Sequence, residues 1–190
     1  MGHREDLLAG AKRCLLEKGY ARTTARDVVA ASGTNLGSIG YHYGSMQALM
    51  IAAMLAAMEE WGDTIGKALA GTPQDDEPDP LLRYWRAVLA TMTTDRDLWL
   101  ASIEAMVQSE HSPELRTQLA QGIQDGRSGM AAMLTRTPED QLDEATVRGL
   151  GSVQMALMSG VIIQWLVDPA RAPAPEQIVA GLRALAAIDS

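Results

Sequence analysis

Three observations predict an all-α fold, with a small three-helix head followed by a larger helical body, about nine helices in all. Apolar residues recur at i, i+3, i+4 and i+7 over most of the 190 residues. No segment alternates as a strand would, and no internal repeat is evident. Helix-start and helix-stop residues punctuate the chain, with glycines at ends and capping side chains before prolines at starts. The spacing divides the chain into a head over residues 1–48 and a body over residues 49–190.

The first helix is expected over Arg4 to Lys18, with Leu7, Leu8, Ala11, Cys14 and Leu15 on one face and Gly19 as its stop. Thr24 is placed to cap the second, and Asp27 three residues on completes a capping box. Val28, Val29 and the alanines give it a small apolar face, and Ser32-Gly33 ends it because glycine accepts a positive φ. Asn35 can cap a third, very short helix from Leu36 to about Tyr41. Two short helices joined by a glycine-containing turn form a helix-turn-helix, whose second helix enters the DNA major groove. An ordinary helical hairpin with a glycine-rich connection has the same spacing. Intrinsic propensity does not explain Gly37 and Gly40, which allow close backbone approach to a partner. Thr34, Asn35, Ser38, Tyr41 and His42 supply short polar or aromatic groups of the kind that reach phosphates and base edges.

From Ser45 a long helix is expected to about Ala70, followed by the polar loop Gly71 to Pro80. Three later helix starts share one device, a capping side chain before proline: Asp79-Pro80, Ser112-Pro113 and Thr137-Pro138. Thr137 with Asp140 adds a second capping box. These starts predict helices over Leu81–Thr93, Asp97–Ser109, Glu114–Leu134 and Glu139–Val167, with a last one over Glu176–Ile188. In the penultimate helix Val147, Leu150, Gln154, Leu157, Met158, Val161, Ile162 and Trp165 form an apolar stripe, and Gly151, Ser152, Ala156, Ser159 and Gly160 permit close approach. Packing within the chain and packing against a second copy both account for that stripe.

The stretch Gly19-Tyr20-x-x-Thr23-Thr24, then Val28-x-Ala30-x-Ser32-Gly33-Thr34-Asn35-x-Gly37-Ser38-Ile39-x-Tyr41-His42-Tyr43-x-Ser45, resembles the DNA-binding signature of the TetR family of bacterial transcriptional repressors. The likeness covers about the first quarter of the chain. It implies that Thr24, Ser38, Tyr41 and His42 stand at phosphate-contacting positions, and that Thr34, Leu36, Gly37 and Gly40 stand where the family reads or approaches bases. One departure is Met46, where the family usually carries a phosphate-gripping Lys. Its loss removes about one counterion from the salt dependence, while helix-terminal amides can still hold a phosphate. The resemblance further implies a homodimer built from the last two helices of each subunit, a palindromic double-stranded operator, and release of a repressor by a small-molecule effector.

Charge distribution agrees with that division. The net charge is −8, yet residues 1–48 carry six basic against four acidic residues, leaving the remainder with ten against twenty. A mildly basic head on an acidic body fits a protein in which only the head meets phosphates. Single Cys14 excludes an internal disulfide and suits a reducing compartment; buried in an apolar stripe, it reads as an inert thiol. The charged N-terminus does not resemble a secretion signal, and no apolar run is expected to reach the roughly 18 residues of a membrane span. A cytoplasmic protein without a membrane partner is expected.

Catalysis is not expected. His3, His42 and His111 are far apart, and the acidic clusters Glu59-Glu60-x-x-Asp63 and Asp75-Asp76-Glu77 have no His or Cys partners. Neither a metal site nor a cofactor is anticipated, since no phosphate loop, zinc spacing or calcium loop is visible. Eleven Met and no Phe leave the body with a Met and Trp interior suited either to plain packing or to an adaptable cavity. Candidate effector-pocket residues are Trp61, Trp85, Trp99, Met106, Met133, Gln154 and Met158. The alternative function is a helical ligand-binding or protein-interaction module that has lost DNA binding, which Met46, Gly40 and the low head charge favour.

Overall fold

The computed structural model describes residues 2–71 and 78–188. Among these residues there are no strands. Nine helices follow one another: α1 (His3–Lys18), α2 (Ala25–Ser32), α3 (Leu36–Tyr43), α4 (Met46–Gly71), α5 (Pro80–Met92), α6 (Arg96–Gln108), α7 (Pro113–Thr135), α8 (Glu144–Val167) and α9 (Pro175–Ala186). Single 3-10 turns lie at Ser109–His111 and Glu139–Gln141. Residues 72–77 of the expected loop, with their acidic cluster, lie outside the described residues.

The chain packs as two compact units, the first of residues 1–61 and 95–123, the second of 62–94 and 124–190. In the first, Leu7, Cys14 and Leu15 of α1, Val28 of α2, Ile39 of α3 and Leu49, Met50 and Met54 of α4 close one apolar core. Ala101 and Ala105 of α6 join it, so the head helices rest on more than each other. α1 crosses α2 at Gly10, where a Cβ would lie 2.8 Å from Ser32 Cβ. Only a residue without a side chain permits that crossing. Burial raises the pKa of the Cys14 thiol, as befits an inert core cysteine.

In the second unit Tyr84, Trp85, Val88 and Met92 of α5, Met158, Val161 and Ile162 of α8, and Ile178 and Val179 of α9 are buried. Asp79 caps α5 through the amides of Leu81 and Leu82 and also accepts from Arg183 at 2.6 Å. Arg86 of α5 donates through Nε and Nη2 to Glu176 at the start of α9. Ser112 likewise caps α7 in the first unit, through the Leu115 amide at 3.2 Å.

The third proline device behaves differently. Arg136 has φ 55°, Pro138 is extended, and Thr137 Oγ1 donates to Thr135 O instead of capping. The expected Glu139–Val167 helix therefore begins later, at Glu144, where Asp143 accepts from the Thr146 amide at 2.7 Å. That bond holds the Asp143 carboxyl below its ordinary pKa. Val147–Gly151 then widen into a π-helical turn before the regular helix Ser152–Val167. At Gly151 a Cβ would sit 2.3 Å from the Arg127 carbonyl oxygen, so this turn exists against α7 only with glycine there.

The same helix corrects another expectation. Glu144–Val167 is long and apolar enough to cross a membrane by length and composition, and only 28 % of its apolar window is buried. The uncovered positions Leu150, Val153, Ala156, Ile163 and Val167 recur at three-, seven- and four-residue spacing, a single helical stripe.

Candidate nucleic-acid interface

Local chemistry fixes α2 and its turn. The Asp27 amide donates to Thr24 Oγ1 at 3.3 Å, and the Thr24 amide donates to Asp27 Oδ2 at 2.9 Å, completing the capping box. The Thr24 hydroxyl also donates to Asp27 Oδ2 at 2.7 Å, so that proton is already engaged. Lys18 reaches Asp27 Oδ1 at 2.5 Å, and this bond, with those from Thr24, draws the carboxyl well below the usual carboxylate range. Gly33 ends the helix at φ 68°, and its amide bonds to Val29 O.

Asn35 opens α3, its Oδ1 accepting from the Ser38 amide at 3.1 Å. A Cβ on Gly37 would come within 3.2 Å of that oxygen, so Gly37 makes room for the cap. A Cβ on Gly40 would meet nothing within 4 Å. Asn35, Leu36, Gly37, Gly40 and Tyr41 are exposed, with Tyr41 85 % exposed. His42 is half-buried and stands edge-on to the Tyr41 ring, centroids 4.8 Å apart. Tyr43 anchors the far end of α3, donating to Arg4 O at 2.9 Å beneath the Arg4 guanidinium.

Two expected members stand apart from that face. Ser38 is buried beside Ile39, because one turn of α3 must point inward to hold the helix on the head. Thr34 is half-buried and shares a 2.7 Å hydrogen bond with Ser32. Met46, in place of the family's Lys, packs against the head core. Ser45 caps the helix there through the Ala48 amide at 3.0 Å.

Two residues that the sequence reading did not single out bear on this surface. Arg26, exposed in the first turn of α2, has no ion-pair partner among the described residues. Its signal was a cation two residues past the Thr24 cap. Glu104 of α6 accepts from the Ala21 amide at 3.0 Å and so holds the α1–α2 connection. Nothing local in the sequence marks that contact, which joins positions 83 residues apart.

The expected pocket residues fall into two groups. Trp61 and Trp99 meet edge-to-face in the first unit with centroids 4.7 Å apart, whereas Met106 of that unit is 56 % exposed. Trp85, Gln154 and Met158 are buried in the second unit, and Met133 is half-buried there. Tyr84 stands edge-on to Trp85 at 5.9 Å. Burial pushes the Tyr84 phenol up to about 12, partly offset by the neighbouring Gln154 amide.

Two family models match the chain in succession. Residues 7–53 match the bacterial regulatory proteins of the tetR family, and residues 76–187 match the tetracyclin repressor-like C-terminal domain. The HTH-type transcriptional regulator TtgR of Pseudomonas putida is 24 % identical over 175 residues, covering 87 % of this chain and 81 % of TtgR. A crystal structure from Rhodococcus sp. RHA1 superposes with a TM-score of 0.75 at 20 % identity, over 96 % of this chain and 94 % of that one. The multidrug binding protein EbrR, complexed with proflavin, superposes with a TM-score of 0.61 at 22 % identity over 90 % and 92 % of the two chains. A head with an exposed, capped second helix and a matching helical body agree on one assignment: the chain belongs to the TetR family of bacterial transcriptional regulators, which are DNA-binding proteins and not enzymes.

Proposed function

We propose that this regulator is a cytoplasmic homodimeric repressor that binds a palindromic operator and leaves it when a small molecule occupies its body. Residues 1–48 bind DNA, and residues 49–190 bind the effector and the second subunit. The observation that carries the reading is the exposed face of α3, where Asn35, Leu36, Gly37, Gly40 and Tyr41 stand together on a helix held by its Asn35 cap. Tyr41, His42 and Arg26 serve phosphates, while Leu36 and the two glycines let α3 approach base edges. Thr24 joins them once its hydroxyl turns from Asp27 to a phosphate. Thr34 and the Ser38 amide side of the helix frame the approach.

Dimerisation is supported by the stripe Leu150, Val153, Ile163 and Val167 on α8 with Leu185 on α9, an apolar surface that water disfavours and an identical surface would cover. Two heads then meet successive major grooves about 34 Å apart. The effector acts through its differential affinity for a dimer with different head spacing. The test is selection of bound sequences from a random DNA pool at moderate salt. A recovered palindrome supports the repressor reading and fixes the half-site spacing. Failure to enrich any sequence even at low salt overturns it.

A further inference from the structure

The second unit contains buried polar atoms that its fold does not use. Gln154 Nε2 and Trp85 Nε1 are both inaccessible and make no hydrogen bond, and Gln154 as a whole is 3 % exposed. Arg127 Nε, on the helix whose carbonyl packs against Gly151, is a third such atom. A buried donor without an acceptor is costly, and native proteins carry few of them. Here Trp85 is joined to Gln154 through Tyr84, whose ring touches Trp85 and whose phenol faces the Gln154 amide. Other buried side chains of the same two helices, Val88, Met92, Met158, Val161 and Ile162, are apolar.

All three unpartnered groups are N–H donors. The buried side chains among the described residues include no Asp or Glu, and the buried charged one is Arg83, a cation on α5. A cation entering this interior would lose its hydration without meeting a counter-ion, whereas a carbonyl oxygen would meet donors already stripped of water. Tyr84, held protonated by its burial, is already engaged with the Gln154 side chain and keeps that amide in place. We infer that the effector site lies at Tyr84, Trp85 and Gln154, and that it takes an uncharged apolar molecule bearing a carbonyl-type acceptor and discriminates against cations. The inference rests on the proposed effector-binding role of the body and assigns that site its ligand chemistry.

A matched set of small probes tests it on the full-length protein without DNA: 1-indanone, indane and the indan-1-ylammonium ion, followed by equilibrium dialysis. These share one bicyclic frame and differ in the acceptor and the charge. The expected result is that 1-indanone binds at least about tenfold more tightly than indane, with the ammonium weakest. Gln154→Leu, with an unchanged helical circular dichroism spectrum, brings the 1-indanone to indane ratio close to one. Trp85→Phe, which removes the second N–H and keeps the ring, lowers the ratio independently should the Leu variant misfold. Equal or tighter binding of indane, preference for the ammonium, or no binding of 1-indanone up to its solubility limit overturns the assignment. Because the readout omits DNA, a failed operator selection leaves this result intact. A recovered palindrome with no 1-indanone preference overturns the ligand chemistry alone.

Discussion

The exposed face of α3 and the exposed face of α8 are both incomplete surfaces, but they lack different things. On α3 the uncovered groups are an aromatic hydroxyl, a capping amide, two glycines and a single large apolar side chain, Leu36, a mostly polar face shaped for a polar partner. On α8 they are Leu150, Val153, Ile163 and Val167, the last 81 % exposed, and water penalises each. A surface of the first kind can bind and release under the control of salt and effector. One of the second kind needs to be covered permanently. The contrast predicts that a tight, salt-insensitive dimer carries weaker, salt-sensitive heads.

The largest effect should come from charging the α8 stripe. Val153→Glu with Ile163→Glu places like carboxylates across a two-fold interface, and sedimentation should find monomer at micromolar concentration, a loss of several kcal/mol. A double variant that stays dimeric would move the interface elsewhere. Next comes Tyr41→Ala, which should weaken operator binding at least about tenfold while leaving the denaturation midpoint nearly unchanged, because the side chain is 85 % exposed and its ring contact is with the neighbouring His42. An unchanged operator affinity in a filter or fluorescence assay would displace α3 from the groove.

Thr24→Ala removes a cap together with the proposed phosphate contact and should lower head stability by about 1 kcal/mol in urea titration. Weaker DNA binding beyond that loss would separate a phosphate role for the hydroxyl from its structural one. The smallest effect is expected for Arg26→Gln. Plots of log affinity against log salt should become shallower by about one ion per subunit, with sequence preference retained. A changed preference would mean that Arg26 reads bases.

What the sequence disclosed about these two surfaces also differs. The capping box of Thr24 and Asp27, the stop at Gly33 and the cap at Asn35 depend on neighbours within four residues, and each was legible. The start of α8 was not. Thr137-Pro138 carries a good local signal, but Arg136 turns the chain and Asp143 supplies the cap six residues later. The π turn at Val147–Gly151 is tied to the Arg127 carbonyl, a contact across helices that spacing cannot reveal. Ser38 shows the limit within α3 itself: its position in the motif was legible, while its burial required the packed head. The unpartnered state of Gln154 Nε2 and Trp85 Nε1 was likewise invisible, since it depends on what the packed helices fail to provide.

The Trp61–Trp99 pair gives the molecule a spectroscopic voice of its own. Two indoles at 4.7 Å, with planes inclined by 87°, share their electronic excitation, and the sign and size of the resulting circular dichroism depend on that angle. One ring belongs to α4 and the other to α6, the helix that also holds the α1–α2 connection through Glu104. A rotation of α6 against α4 would therefore register as a change in the ultraviolet signal of unlabelled protein. The Trp99→Phe variant, which abolishes the coupling, supplies the blank.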